Sequence, residues 1–207
     1  MKKGPKTEDR RPKEKSAAKG SASAKEFRSS VLGLRSSAPH AEGKWAEWFT
    51  RKAGEKRYWL VKSEPEVFSF DDLVLAPKRT TMWDGVRNFA ARNFLRDGMK
   101  LGDQVFYYHS MANPQAIVGI CEVVKEGYPD PTAFDKKSYG YDADSKQDDP
   151  QWFAVDLRAV DQLPRPVTLP EIKARKELAD MALVRIGRLS VTPVRDTEWK
   201  VILGMAK

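Results

Sequence analysis

The stretch Thr80–Ser110, TTMWDGVRNFAARNFLRDGMKLGDQVFYYHS, decides how this chain is read. It passes from an aromatic before a turn (Trp83, Asp84, Gly85), through a polar helix start with Arg87 and Asn88, to a strand that ends in Tyr108, His109 and Ser110. Phe89, Ala90, Phe94 and Leu95 recur at helical spacing and predict a helix from about Asn88 to Asp97, with Gly98 as a left-handed stop. Beyond it, Val105, Tyr107 and His109 alternate with Phe106, Tyr108 and Ser110, the period of a strand. The side chains at these turns and ends suit a nucleobase. A flat indole covers the face of a base, while amide, guanidinium, imidazole and hydroxyl groups satisfy its edge.

Outward toward the N-terminus, RYWLVKS alternates with Trp59, Val61 and Ser63 on one side and Tyr58, Leu60 and Lys62 on the other, which predicts a half-buried strand ended by Pro65. FSFDDL follows as a helix start, with Ser69 as N-cap, Asp72 three residues on, and Phe68 with Leu73 as a hydrophobic staple. Toward the C-terminus, QAIVGICEVV and WFAVDLRAV predict two more strands, Gly119 in the first permitting a close backbone approach. The polar, turn-rich segment between them is a long loop, and loops of that length in compact domains are usually functional or mobile. TLPE opens another helix, RLSVTPV predicts a strand, and a last helix runs from about Arg195 to near Gly204. Strands outnumber helices and are joined by irregular loops. The expected class is α+β, a small barrel of mixed strands with flanking helices.

Charge divides the chain. Residues 1–57 hold 16 Lys/Arg and 7 Asp/Glu, a balance of +9 in a total of +8, so the remainder is close to neutral. A near-neutral domain is not expected to grip many phosphates, because backbone-dominated binding needs concentrated positive charge. Residues 1 to about 30 have almost nothing to bury and read as a disordered basic tail. Trp45, Trp48 and Phe49 fall at i, i+3 and i+4; a helical turn packed on the domain, a partly ordered linker and a partner-binding peptide all fit that spacing. The expected division is a basic extension over residues 1–56 and a domain over 57–205.

Other chemistries are poorly served. A single cysteine, Cys121, and two histidines, His40 and His109, exclude a disulfide framework and a structural zinc cluster. Cys121 is expected to share its strand face with Ile117, Gly119 and Val123, the setting of a buried structural thiol rather than a nucleophile. Neither a nucleophile elbow, a phosphate-cradling glycine loop nor a zinc-protease motif is present. No apolar run is long enough to span a bilayer. The expectation is an intracellular, non-secreted protein, cytoplasmic in a bacterium or nuclear in a eukaryote, monomeric, without membrane, metal or cofactor.

Five blocks, YWLVKSEPEVFSFDDL, TTMWDGVRNFAARNFLR, GDQVFYYHS, AIVGICEVVKEGYPDPTAFD and YDADSKQDDPQWFAVDL, resemble in this order and spacing the EVE domain of the thymocyte nuclear protein 1 family. That family is similar to the PUA-like superfamily, which includes YTH and ASCH domains, and is associated with recognition of modified bases in DNA or RNA. The resemblance implies a pseudo-barrel with a pocket at one side. Carried over by motif, it places Lys62, Ser63 and Glu64 at the pocket rim, Trp83 as a wall with Val86, Arg87 and Asn88 near it, and adds Tyr108, His109, Ser110, Trp152 and Asp156. Trp59, Trp83 and Trp152 are its candidate aromatic walls.

Each of these residues also has a structural reading. Trp59 alternates with Val61 as a core tryptophan would, His109 suits a residue satisfied by the fold, and Arg87 with Asn88 can fix a loop through main-chain carbonyls. The expected function is a non-catalytic module that accepts a methylated or hydroxymethylated cytosine, or a methylated adenine. A protein or small-nucleotide interaction module with a nonspecific basic tail is the alternative. A nucleotide hydrolase using Glu64 and Asp156 has no further support.

Overall fold

Six segments rich in β-branched and aromatic residues form one sheet: β1 (Tyr58–Ser63), β2 (Thr80–Trp83), β3 (Gln104–His109), β4 (Ala116–Pro129), β5 (Phe153–Thr168) and β6 (Val191–Val194). The computed structural model describes residues 44–207; the disordered tail expected from the first 30 residues lies outside the described residues. Strand order is β2-β5-β4-β3-β1-β6. β1 and β3 are parallel and every other pair of neighbours is antiparallel. A parallel pair needs a crossover. Here the chain makes it through α1 (Phe70–Leu75), β2, α2 (Phe89–Asn93) and a π-helical turn at Phe94–Gly98.

Local chemistry fixes the helix ends. Ser69 Oγ accepts from the Asp72 amide while the Asp72 carboxylate accepts from the Ser69 amide, a reciprocal capping box at α1. Thr168 and Glu171 repeat the device at α3 (Leu169–Ala174). α4 (Ala182–Arg185) and α5 (Asp196–Met205) complete the set.

All six strands contribute to one core, through Trp59, Val61, Trp83, Tyr107, Cys121, Leu157 and Val191 among others, closed by Phe70, Leu73, Phe94 and Leu95. The opposite face of the sheet holds a second core, in which Leu60, Phe106, Tyr108 and Ile117 meet Ile172, Trp199 and Ile202 from α3 and α5. The sheet thus curls round the first core as a mixed, open barrel whose edges are β2 and β6. Trp59, Leu60 and Val61 are all fully buried. The half-buried strand expected at β1 is therefore covered on both faces, each large side chain contributing roughly 1.5–3 kcal/mol of burial.

Close packing explains two further features. An added Cβ at Gly119 would come within 2.3 Å of the Phe70 ring, so the glycine lets α1 lie directly on β4. Pro193 stands opposite Trp59 in β6, an edge position where its missing N–H is tolerated.

The ordered domain begins before Arg57. Around the short 3-10 turn Ala46–Trp48, Phe49 stacks on Phe94 at 5.6 Å and Trp48 meets Trp59 at 5.6 Å. Arg51 then reaches Asp103 with two bonds of 2.8 Å. Asp103 is fully buried, and such a carboxylate is tolerated only when its oxygens are occupied. It also accepts from the Arg57 amide at 3.0 Å, Trp59 Nε1 at 2.8 Å and the Lys100 amide at 3.0 Å. Of the readings open for Trp45, Trp48 and Phe49, a turn packed on the domain is the one seen.

Candidate nucleobase-binding surface

The parallel strands β1 and β3 end in register, Ser63 beside His109. Ser63 Oγ and the Tyr107 hydroxyl both donate to the Phe68 carbonyl at 2.7 Å, and His109 Nε2 accepts from the Phe70 amide at 3.1 Å. Three side chains therefore hold the turn into α1. Burial pushes the His109 pKa down, in keeping with a neutral ring whose Nε2 is an acceptor. Trp83 meets Tyr107 edge-on, with ring centres 5.5 Å apart and planes at 86°, and Tyr107 lies 5.7 Å from His109. Glu64 and Ser110 sit at the same strand ends: the Glu64 carbonyl accepts from Val67 and Phe68, and the Ser110 amide donates to the Ser63 carbonyl.

The turn after β2 carries a second group. Arg87 Nη1 lies 2.7 Å from Asp130 Oδ2, its Nε donates to the Gly140 carbonyl at 2.9 Å, and Nη2 reaches the same carbonyl and Thr132 Oγ1. The Asp130 side chain is fully buried and also accepts from the Gly85 amide at 3.0 Å, the Thr132 amide at 2.8 Å and Thr132 Oγ1 at 2.7 Å. Asn88 caps α2, its Oδ1 accepting from the Ala90 and Ala91 amides. Trp152 stacks on Phe89 with ring centres 5.0 Å apart, lies under the Arg87 guanidinium at 5.3 Å, and donates its indole N–H to Asp142. Val86 is buried in the first core.

Asp84 and Tyr139 complete this rim. Gly85 has φ +70°, a left-handed conformation, and an added Cβ would come within 2.4 Å of the Tyr139 hydroxyl oxygen and 2.6 Å of its ring. The tyrosine is laid on bare backbone. Its hydroxyl donates to Asp84 Oδ1 at 3.1 Å, although the residue as a whole is 81% exposed. Burial pushes the Asp84 carboxyl up.

The sequence-predicted residues therefore divide. Ser63, Glu64, Trp83, His109 and Ser110 gather at the strand ends, and Arg87 and Trp152 meet beside Asp130, with Val86 and Asn88 flanking Arg87 in the chain. Trp59 lies apart, fully buried with its indole N–H on Asp103. Lys62 and Tyr108 point to the other face, where Lys62 Nζ donates to the Gly187 carbonyl at 2.8 Å and Tyr108 donates to Gln115 at 3.2 Å. Asp156 is out of step with Trp83 in the β2–β5 ladder, where Met82 is its partner, and it accepts from Tyr128. Exposures of 0%, 9% and 6% for Trp59, Trp83 and Trp152 mean that the three indoles do not share one open face.

Tyr107, Asp130 and Tyr139 were not singled out from sequence. Alternation with His109 carried a signal for Tyr107; the loop residues had no periodicity to reveal them. A cavity of about 330 Å³ lies elsewhere, lined by Trp45, Trp48, Arg185, Arg195 and Glu198 among others, and shares no residue with the Trp83 group.

The chain is thus a mixed α+β domain with aromatic and hydrogen-bonding groups gathered at the ends of its strands. The EVE domain pattern matches residues 57–205, and the chain belongs to the EVE domain family. It is 42% identical to thymocyte nuclear protein 1 of Homo sapiens over 165 residues, covering 72% of this chain and 73% of that protein. The structure of human THYN1 protein in complex with 5-methylcytosine containing DNA is similar at a TM-score of 0.71 and 41% identity, over 73% of this chain and 98% of that one. A hypothetical protein from Leishmania major matches at a TM-score of 0.71 and 44% identity, over 75% and 97%.

Proposed function

We propose that this protein is a non-catalytic nucleic-acid reader that accepts one modified nucleobase, of which 5-methylcytosine in DNA is the first to test. The observation that carries the reading is the human relative in complex with DNA containing that base, at 41% identity over 98% of the relative's chain. The rim here supports it: Trp83 and Trp152 supply indoles near the turn that Arg87 anchors, and Ser63 and His109 hold the neighbouring turn into α1. Arg87 is bonded to Asp130, which supports a role in holding this turn.

Accepting an extruded base costs a few kcal/mol of lost stacking and pairing, and an aromatic partner returns about 1–3 kcal/mol. A buried methyl adds roughly 0.8 kcal/mol. Preference for the methylated base is therefore expected at a few-fold, not thousands. Since Trp83 and Trp152 are nearly covered, entry of a base onto Trp152 requires Phe89, which stacks on it, to move aside.

Titration of the full chain with oligonucleotides carrying cytosine, 5-methylcytosine, 5-hydroxymethylcytosine, adenine or N6-methyladenine at one position tests this. Tighter binding to one modified base is the expected result. Equal affinity for all five removes the reader. Raising the salt separates a contribution from the basic extension, which weakens all five alike.

A further inference from the structure

The Tyr139 ring is a flat six-membered ring seated on the Gly85 backbone with one donor on Asp84, and the residue is 81% exposed. A side chain so placed buries little and is readily displaced. Asp84 is the residue next to Trp83, and among the described residues Tyr139 is the one hydrogen-bonding side chain on its carboxylate. A half-buried carboxylate loses solvation and gains from any donor that meets it. We propose that Asp84 reads the exocyclic amine of the accepted base, with Tyr139 holding that place until the base enters.

This rests on the base-reading function above and narrows its ligand. Cytosine and adenine present an amine at the relevant edge, whereas thymine, uracil and guanine present a carbonyl there. A carbonyl set against a carboxylate leaves two acceptors facing each other. The site therefore takes amine-bearing bases and rejects thymine, which carries the same methyl group as 5-methylcytosine. The methyl is sensed by apolar contact; the identity of the base is sensed by Asp84.

The experiment uses the full chain and single-stranded oligonucleotides, so that duplex pairing does not enter. One position carries 5-methylcytosine, cytosine, or 5-methylpyrimidin-2-one, which keeps the methyl but lacks the amine. For the natural protein, loss of the amine weakens binding by about tenfold or more, as expected for a hydrogen bond to a charged acceptor. In Asp84→Ala the methylated bases with and without the amine bind within about twofold of each other, because the pair is already broken. Asp84→Asn keeps a neutral acceptor of the same shape and retains part of the discrimination, between the natural protein and Asp84→Ala. An equal loss in the natural protein and in Asp84→Ala overturns the assignment of Asp84 while the preference for 5-methylcytosine over cytosine stands. Failure of the natural protein to prefer 5-methylcytosine over cytosine overturns the reader itself, and this inference with it. Tyr139→Phe, which removes the competing donor, tightens binding about two- to fivefold; weaker binding would make Tyr139 a wall of the site and overturn its role as placeholder.

Discussion

Arg87 Nη1 stands 2.7 Å from the Asp130 carboxylate, and the Asp130 side chain is fully buried while that of Arg87 is 25% exposed. This contact ties the turn after β2 to the long loop between β4 and β5, segments whose join carries Asp84, Tyr139 and Trp152. The pair is a scaffold for the rim.

Arg87→Ala should therefore act on stability as well as binding. Breaking a buried pair from one side costs about 3–5 kcal/mol, and partial exposure of the arginine lowers the expectation to about 2–3 kcal/mol. Arg87→Lys restores the charge but not the fork that reaches Gly140 and Thr132, and recovers only part of the loss. Urea denaturation measures both; a change under about 0.5 kcal/mol for Arg87→Ala would mean that the pair does not hold the loop.

The acid response of the fold follows from Asp130. Burial alone raises its pKa, but bonds from Thr132, Arg87 and the Gly85 amide outweigh burial and hold it below the ordinary 3.8. A folded value below the unfolded one gives stability that is present above pH 3.8 and lost as pH falls through the lower folded value. Asp130→Asn should be less stable than the natural protein at neutral pH, and the gap should narrow below that point. Denaturation curves at neutral pH and at two acid values read this directly; a constant gap would assign the effect to shape alone.

Trp83 is a core residue as well as a candidate wall, so truncation does not isolate its role in binding. Trp83→Ala should cost about 3–5 kcal/mol, the range for deleting a buried large aromatic. Trp83→Phe keeps an aromatic ring against Tyr107 and should remain folded while binding 5-methylcytosine DNA several-fold more weakly. Unchanged binding with a native melting curve would move the stacking role away from this residue.

A chain started at Arg57, where the family pattern begins, loses the aromatic turn and Arg51. Phe94 and Trp59 then lose covering rings, and buried Asp103 loses two of its donors. Such a chain should melt below one started at Lys44, by about 6–12 °C for a loss of roughly 3 kcal/mol in a domain of this size. Equal melting temperatures would show that the turn adds nothing to the fold.

Local signals in the sequence proved legible and long-range ones did not. Ser69 with Asp72 and Thr168 with Glu171 announced helix starts because a capping box is complete within four residues. Alternation found most strands, yet Thr80–Trp83 was too short to display a period and read only as the approach to a turn. Ile117 and Cys121 have the same parity but enter different cores, because β4 shifts register between Ile117 and Gly119 and again beside Cys121. Neighbours in one motif were likewise split by the pleat: Lys62 from Ser63, and Tyr108 from His109. A motif places residues in one neighbourhood; a strand then sends alternate members to opposite sides of the sheet. That is why Lys62, Tyr108 and Asp156 stand apart from Trp83, whereas Trp59 shares its core and is taken up by Trp48, Phe94 and Asp103. Asp130 and Tyr139 belong to an irregular loop, where partners are chosen by tertiary contacts.

Pro193 gives one border of the sheet a particular property. The Lys62 amide donates to the Ser190 carbonyl, so alternation along β6 turns the main-chain groups of Val191 and Pro193 away from β1. At Pro193 that outward side has no hydrogen to offer. A foreign strand laid along this border would meet a gap in the pattern it needs, which discourages runaway strand-on-strand growth between copies.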